Sequence, residues 1–186
     1  MKRLVLSTLV AAPILLLSLQ QSRAAEPTTH STFCEAPGAA FLSSLIGEWA
    51  LELEADEGWT GYGKSTISWD YSRVCSVLDT QVAVFNQESD SPFENKSTHL
   101  ISADSLSGTL KLLSSDRRGY THLGISGQES GNEDLAFEII RPGGGAPTRR
   151  ILYRSVKPES FEWVWQGLVE DEESWVDRLV ITYVRE

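Results

Sequence analysis

The sequence predicts an all-β protein: a single antiparallel up-and-down β-barrel of about ten strands, with one short helix at its N-terminal end. Three observations carry that expectation. From Gly47 to the C-terminus, short runs of alternating apolar and polar residues follow one another, the period of half-buried strands. Turn residues split these runs at short intervals, as in Asp104 to Gly108 and Pro142-Gly143-Gly144-Gly145. Ten sequential strands best remove their two free edges by closing on themselves. A two-sheet sandwich fits the same patterns and stays open as the second architecture.

The chain has 186 residues, and its first 24 read as a removable export signal. Lys2 and Arg3 form a basic start, Leu4 to Leu19 is apolar apart from Ser7, Thr8, Pro13 and Ser18, and Ser22-Arg23-Ala24 places small residues for cleavage. That apolar run is short of the roughly twenty residues that span a bilayer, so no stable membrane insertion is expected after cleavage. The destination is the periplasm or the medium. Residues 25–36 read as a mobile linker and residues 37–186 as one barrel domain. Cleavage would move the formal charge from −10 to −13, so acidic a protein that nucleic acid is not an expected partner.

Phe33 to Ile46 suits one short helix stopped by Gly47. The strands then follow in order. Glu48 to Glu54 sets Trp49, Leu51 and Leu53 against Glu52 and Glu54; Gly61 to Asp70 carries Ile67 and Trp69; Val74 to Asn86 is rich in Val. Acidic and polar residues from Gln87 to Asn95 read as a connection to Ser97–Ser102. Thr109–Ser114, Tyr120–Ser126, Leu135–Arg141, Thr148–Val156, Phe161–Leu168 and Trp175–Arg185 complete the ten.

At this point the chain resembles a known superfamily. Leu45-Ile46-Gly47-Glu48-Trp49 is similar to the G-x-W opening of the calycins, the lipocalins and fatty-acid-binding proteins. Gly61-Tyr62-Gly63-Lys64-Ser65 with Trp69, Ser160-Phe161-Glu162-Trp163-Val164-Trp165 and Tyr183-Val184-Arg185 resemble a bacterial lipocalin-like family of unknown function. The resemblance covers about residues 40 to 186. It implies a calycin-type barrel with an interior ligand site, and a structural pairing of Trp49 with a basic residue near the chain's end, Arg185 or else Arg154. A haem-binding branch of related barrels uses a histidine near the C-terminus; here none follows His122, so that activity is not carried over. No cofactor is expected.

Local signatures of catalysis are missing. Gly61-Tyr62-Gly63 leads into a strand rather than a helix, unlike a phosphate loop. Gly124-Ile125-Ser126-Gly127 is not a nucleophile elbow. His99 and His122 are titratable near working pH but stand alone in their strands, and with His30 they show no metal-ligand spacing. No catalytic residue and no metal ligand is assigned. Glu52, Glu54, Glu138 and Glu162 read as outer-face positions.

The tryptophans and arginines say more. Trp69, Trp163 and Trp165 are candidates to give a ligand a flat apolar wall. In up-and-down order, the loops after the fifth and seventh strands bring Arg117, Arg118, Arg141, Arg149 and Arg150 to one end of the barrel. Arg117, Arg118 and Arg149 are candidates to hold an anionic head, since the guanidinium fork makes paired hydrogen bonds to such groups. The expected function is binding of a small apolar or amphiphilic molecule inside the barrel. The alternative is an envelope structural or interaction module with a filled interior, and a cavity of about 300 Å³ or more favours the ligand.

Strand order also places the two cysteines. Cys34 precedes the helix that enters the first strand and Cys75 is the second residue of the third, so both belong to the barrel's base. A disulfide Cys34–Cys75 is predicted, in keeping with an exported chain.

Overall fold

The structure, a computed structural model, describes residues 34, 36, 38–71, 75–87, 90–104, 106–126, 134–169, 171 and 173–186. The export signal and all of the 25–36 linker except Cys34 and Ala36 lie outside the described residues. A helix, α1 (Ala39–Leu45), is followed by β1 (Gly47–Ala55), β2 (Trp59–Trp69), β3 (Ser76–Gln87), β4 (Asp90–Ala103) and β5 (Leu110–Asp116). The chain continues through β6 (Thr121–Ser126), β7 (Leu135–Ile139), β8 (Arg149–Lys157), β9 (Ser160–Val169) and β10 (Ser174–Arg185). Each strand pairs antiparallel with the next, and β10 pairs with β1, closing the barrel. Among the described residues no strand edge is left unpaired, and the closed barrel excludes the sandwich.

Two boundaries differ from expectation by more than two residues, each for a local reason. The helix begins only after Gly38, its N-cap, whose left-handed backbone (φ 92°) is not helical. β4 begins at Asp90, seven residues before the sequence pattern suggests. The reason is Phe93, which points inward among polar neighbours and stacks on Phe85 of β3 at 5.2 Å.

Gly47, at the start of β1, defines the base. The base is a packed plug: Leu42 and Leu45 of α1 are fully buried beneath the sheet. Phe161 stacks on Tyr183 at 4.2 Å, and Trp49 meets Phe161 edge-on at 4.9 Å. Phe41 of the helix reaches Tyr153 at 5.7 Å. Cys34 and Cys75 are disulfide-bonded with Cα atoms 4.7 Å apart, as predicted.

The pairing of Trp49 with Arg185 is also present. The guanidinium lies 4.2 Å over the indole and donates to the carbonyls of Ile46 and Pro158. Arg154 is elsewhere, on the outer face, paired with Glu162 and Asp177. Gly47 has its own reason to lack a side chain, since a Cβ there would sit 2.4 Å from Arg185 Nη1.

Candidate functional site

Side chains alternate inward and outward along each strand, so register decides what faces the interior. Above the aromatic plug the barrel opens into a cavity of about 240 Å³. One wall is apolar: Leu53, Phe85, Trp163, Trp165, Leu179 and Ile181. The other is polar: Gln81, Asn95, Ser97, His99, Ser114 and His122, with Asp116 and Tyr120 toward the mouth. The volume lies below the usual 300–1,000 Å³ of pockets for drug-sized ligands, so the enclosed space suits a small molecule. It also falls short of the roughly 300 Å³ that would favour a ligand over a structural module, although the interior above the plug is not fully packed.

Under the polar wall lies a buried carboxylate. Asp79 is fully buried and accepts from Ser65 Oγ (2.5 Å), Gln81 Nε2 (2.8 Å) and Tyr183 Oη (3.0 Å). Gln81 in turn accepts from Ser97 at 3.1 Å. A polar group so deeply buried is tolerable only when hydrogen-bonded in this way. The network links the floor of the cavity to the plug.

The two histidines are the residues that the sequence left unassigned. Asp79 stands directly across from His99 in the β3–β4 register, so His99 is not without a carboxylate neighbour. His99 and His122 then flank Ser114 on successive strands, and all three line the cavity. Burial holds the His99 pKa below its ordinary value, against the smaller opposing effect of Asp79. Burial also lowers that of His122, helped by the Arg149 charge and opposed by Asp116. Both rings are neutral at pH 7. His99 is 3% exposed, and its Nδ1 is buried without a hydrogen-bond partner. The Tyr153 hydroxyl and Trp163 N–H also lack a well-aligned partner, although the Trp163 N–H lies near enough to oppose slightly the strong upward shift that burial gives Tyr153.

A pH dependence follows. In the unfolded chain a histidine titrates near 6.5; in the fold His99 and His122 titrate lower, so below about pH 6.5 the unfolded state binds more protons. Stability is therefore expected to fall as pH drops from about 6.5, by at most about 1.4 kcal/mol per pH unit for each proton. Urea unfolding midpoints at pH 7.5, 6.5 and 5.5 measure it. His99→Phe should flatten the curve, and an unchanged slope in that variant would refute the assignment to His99.

The sequence-derived candidates separate in space. Trp163 and Trp165 line the cavity. Trp69 does not; it ends β2 at the base, partly buried against the core. The loops after β5 and β7 share the upper rim, and Arg149 lies 6.0 Å over the Trp165 ring. Arg118 lies 5.1 Å over Phe93, which stacks on cavity-lining Phe85. Arg117 is exposed on the same turn, held by its backbone N–H to the Lys96 carbonyl. Arg150 turns to the outer face, 4.5 Å over Trp175 and bonded to Gln166. A rim basin of about 510 Å³, bordered by Thr121, His122, Arg141, Thr148 and Arg149, adjoins the cavity through His122. Among the described residues no three of His, Cys, Asp and Glu gather as a metal-ligand set.

Comparison with known proteins gives the fold and no more. No protein-family model matches the chain, and no curated protein matches it. The crystal structure of Rv2717c from M. tuberculosis superposes with a TM-score of 0.54 at 16% identity, covering 81% of this chain and 98% of that one. The structure of EF1p2_mFAP2b bound to DFHBI covers 80% and 97% at 14% identity, but its TM-score of 0.40 is too low to carry weight. The closed antiparallel barrel is calycin-like in architecture.

Proposed function

We propose that the protein binds a small amphiphilic molecule in the upper half of the barrel, its flat apolar body on Trp163 and Trp165 and its anionic head at the arginine rim. The observation that carries this reading is the two-walled cavity opening beside Arg149 and Arg118. The aromatics already orient both guanidiniums, so little side-chain freedom remains to be lost when an anion arrives. The same reading makes the protein an exported one, in the periplasm or medium. The basic and apolar start of the chain supports export, and the Cys34–Cys75 bond suits an oxidising compartment.

Native mass spectrometry of protein from its own host should find a small co-purified molecule. In vitro, benzoate should quench tryptophan emission saturably. Replacing Arg118 and Arg149 together by Ala should weaken benzoate binding about tenfold or more, the effect of losing charge-assisted hydrogen bonds. Stability should change by only about 1–2 kcal/mol, the sum of two exposed cation–π contacts. Unchanged benzoate affinity in that double variant would refute the placement of the head.

A further inference from the structure

We propose that the protein pairs with a second copy of itself through the outer face of β5, β6 and β7, about a two-fold axis lying along β6. The inward residues Ser114 and His122 of β5 and β6 line the cavity; the outward ones beside them are apolar. Leu113, Leu123, Ile125 and Ile140 are 39–46% exposed, whereas the outward positions of β1 carry Glu52 and Glu54. Register sets them side by side. Leu113 stands across from Leu123, whose carbonyl accepts from the Ile140 N–H, and Leu100 extends the row on β4. One step toward the base, Ile125 stands between Lys111 and Glu138. A contiguous exposed apolar patch of this kind marks an interaction site.

The patch is complementary to itself. Rotation by half a turn about β6 sets Leu123 on Leu123 and Ile125 on Ile125, and exchanges the two flanking strands. Lys111 of each protomer then faces Glu138 of its partner, and Leu113 faces Ile140, so each contact occurs twice. Lys111 is able to turn to Glu138, because its pairing with Asp104 is loose, 3.5 Å on an exposed surface. The β7 side also offers a recess. A hollow of about 290 Å³ lies between Ile125, Glu138 and Ile140 and the hairpin residues Gly144, Gly145 and Pro147, where the rotation delivers Leu113 of the partner. A two-fold axis across the strands would instead press Lys111 and Glu138 against Leu113 and Ile140, leaving both charges unpaired. Three strands about 4.8 Å apart and about 20 Å long, with the hairpin, bury on the order of 1,000 Å² in all, the low end of specific interfaces. The formal charge of −10 on each chain opposes association, and salt at about 0.15 M screens that repulsion beyond roughly 8 Å. The dimer is therefore weak, with a Kd on the order of tens of micromolar.

Sedimentation equilibrium of the disulfide-bonded protein from about 1 to about 500 µM, in about 0.15 M salt, tests this. Leu123→Asp, which sets two like charges face to face on the axis, should leave the protein monomeric at the highest concentration. Lys111→Glu and Glu138→Lys should each weaken dimerisation about tenfold or more, since each reversal acts at two places. The two combined should restore it. A merely disturbed surface would show no such recovery. A wild type monomeric throughout, a dimer indifferent to Leu123→Asp, or charge reversals without rescue would each overturn the inference. Monomeric protein that sediments with phosphatidylcholine vesicles would overturn it as well, giving the face to a lipid surface. If a variant does not fold, carbodiimide coupling of mixed unlabelled and isotope-labelled wild type decides. A Lys111–Glu138 cross-link joining a labelled to an unlabelled chain is the expected result, and its absence overturns the proposal.

Discussion

Trp49→Ala is expected to cost about 3–5 kcal/mol of folding free energy, the range for truncating a buried large aromatic. Trp49 is fully buried at the point where the plug, the barrel seam and the chain's end meet. It contacts Phe161 edge-on at 4.9 Å and Tyr183 at 6.3 Å. Its N–H donates to the Leu45 carbonyl at 3.0 Å, fixing the end of α1 to β1. Truncation would also strand Arg185, whose guanidinium uses the indole face and the carbonyls of Ile46 and Pro158 to tie β10 across the base. The loss should therefore sit at the upper part of the range. Urea denaturation followed by far-UV circular dichroism measures it, and a loss below about 2 kcal/mol would show that the base packs without its central indole. Trp49→Phe keeps much of the volume but neither the N–H nor the full ring, so an intermediate loss is expected.

The same residues show what could be read from sequence. Trp49, Leu51 and Leu53 alternate with Glu52 and Glu54 so cleanly that strand, face and burial were all legible in β1. The pattern failed at Asp90 to Lys96, where a single inward aromatic, Phe93, is flanked by polar residues. Alternation can be counted only where several apolar residues share a phase. The cavity was hidden for a related reason. Its polar wall is inward-facing, so Gln81, Ser97, His99 and Ser114 interrupt the apolar phase instead of extending it. One signal was available: His99 is in phase with Ile101 and Ala103, both buried. Its carboxylate neighbour Asp79 lies twenty residues away, and only the β3–β4 register brings the two together. Trp69 carried the reverse ambiguity. It shares a face with Ile67, but strand direction puts it at the base, far along β2 from the mouth. Phase tells inside from outside; height along the barrel needs the register as well.

Removal of the Cys34–Cys75 bond, by reduction or by replacing both residues with Ala, is expected to cost about 3–4 kcal/mol without abolishing the barrel. The bond joins positions 41 residues apart, and in the chain-entropy model a loop of that length confines the unfolded state by about that amount. The cross-link encloses α1, β1 and β2, the elements that form one side of the base. The native contacts beneath it do not depend on the sulfurs. Leu42 and Leu45 remain buried, Trp49 still holds the Leu45 carbonyl, and Ala103 N–H still donates to the Cys75 carbonyl. Unfolding should therefore shift to lower denaturant with cooperativity intact. A shift under about 1 kcal/mol would mean that the reduced unfolded chain is already compact around this loop. Ligand binding supplies a second, independent check. The disulfide lies at the base and the cavity at the opposite half of the barrel, separated by the packed layer of Trp49, Phe161 and Tyr183. Under conditions where the reduced protein is still folded, its affinity for benzoate should match that of the oxidised form. A large loss of affinity on reduction would show that the base and the cavity move as one unit.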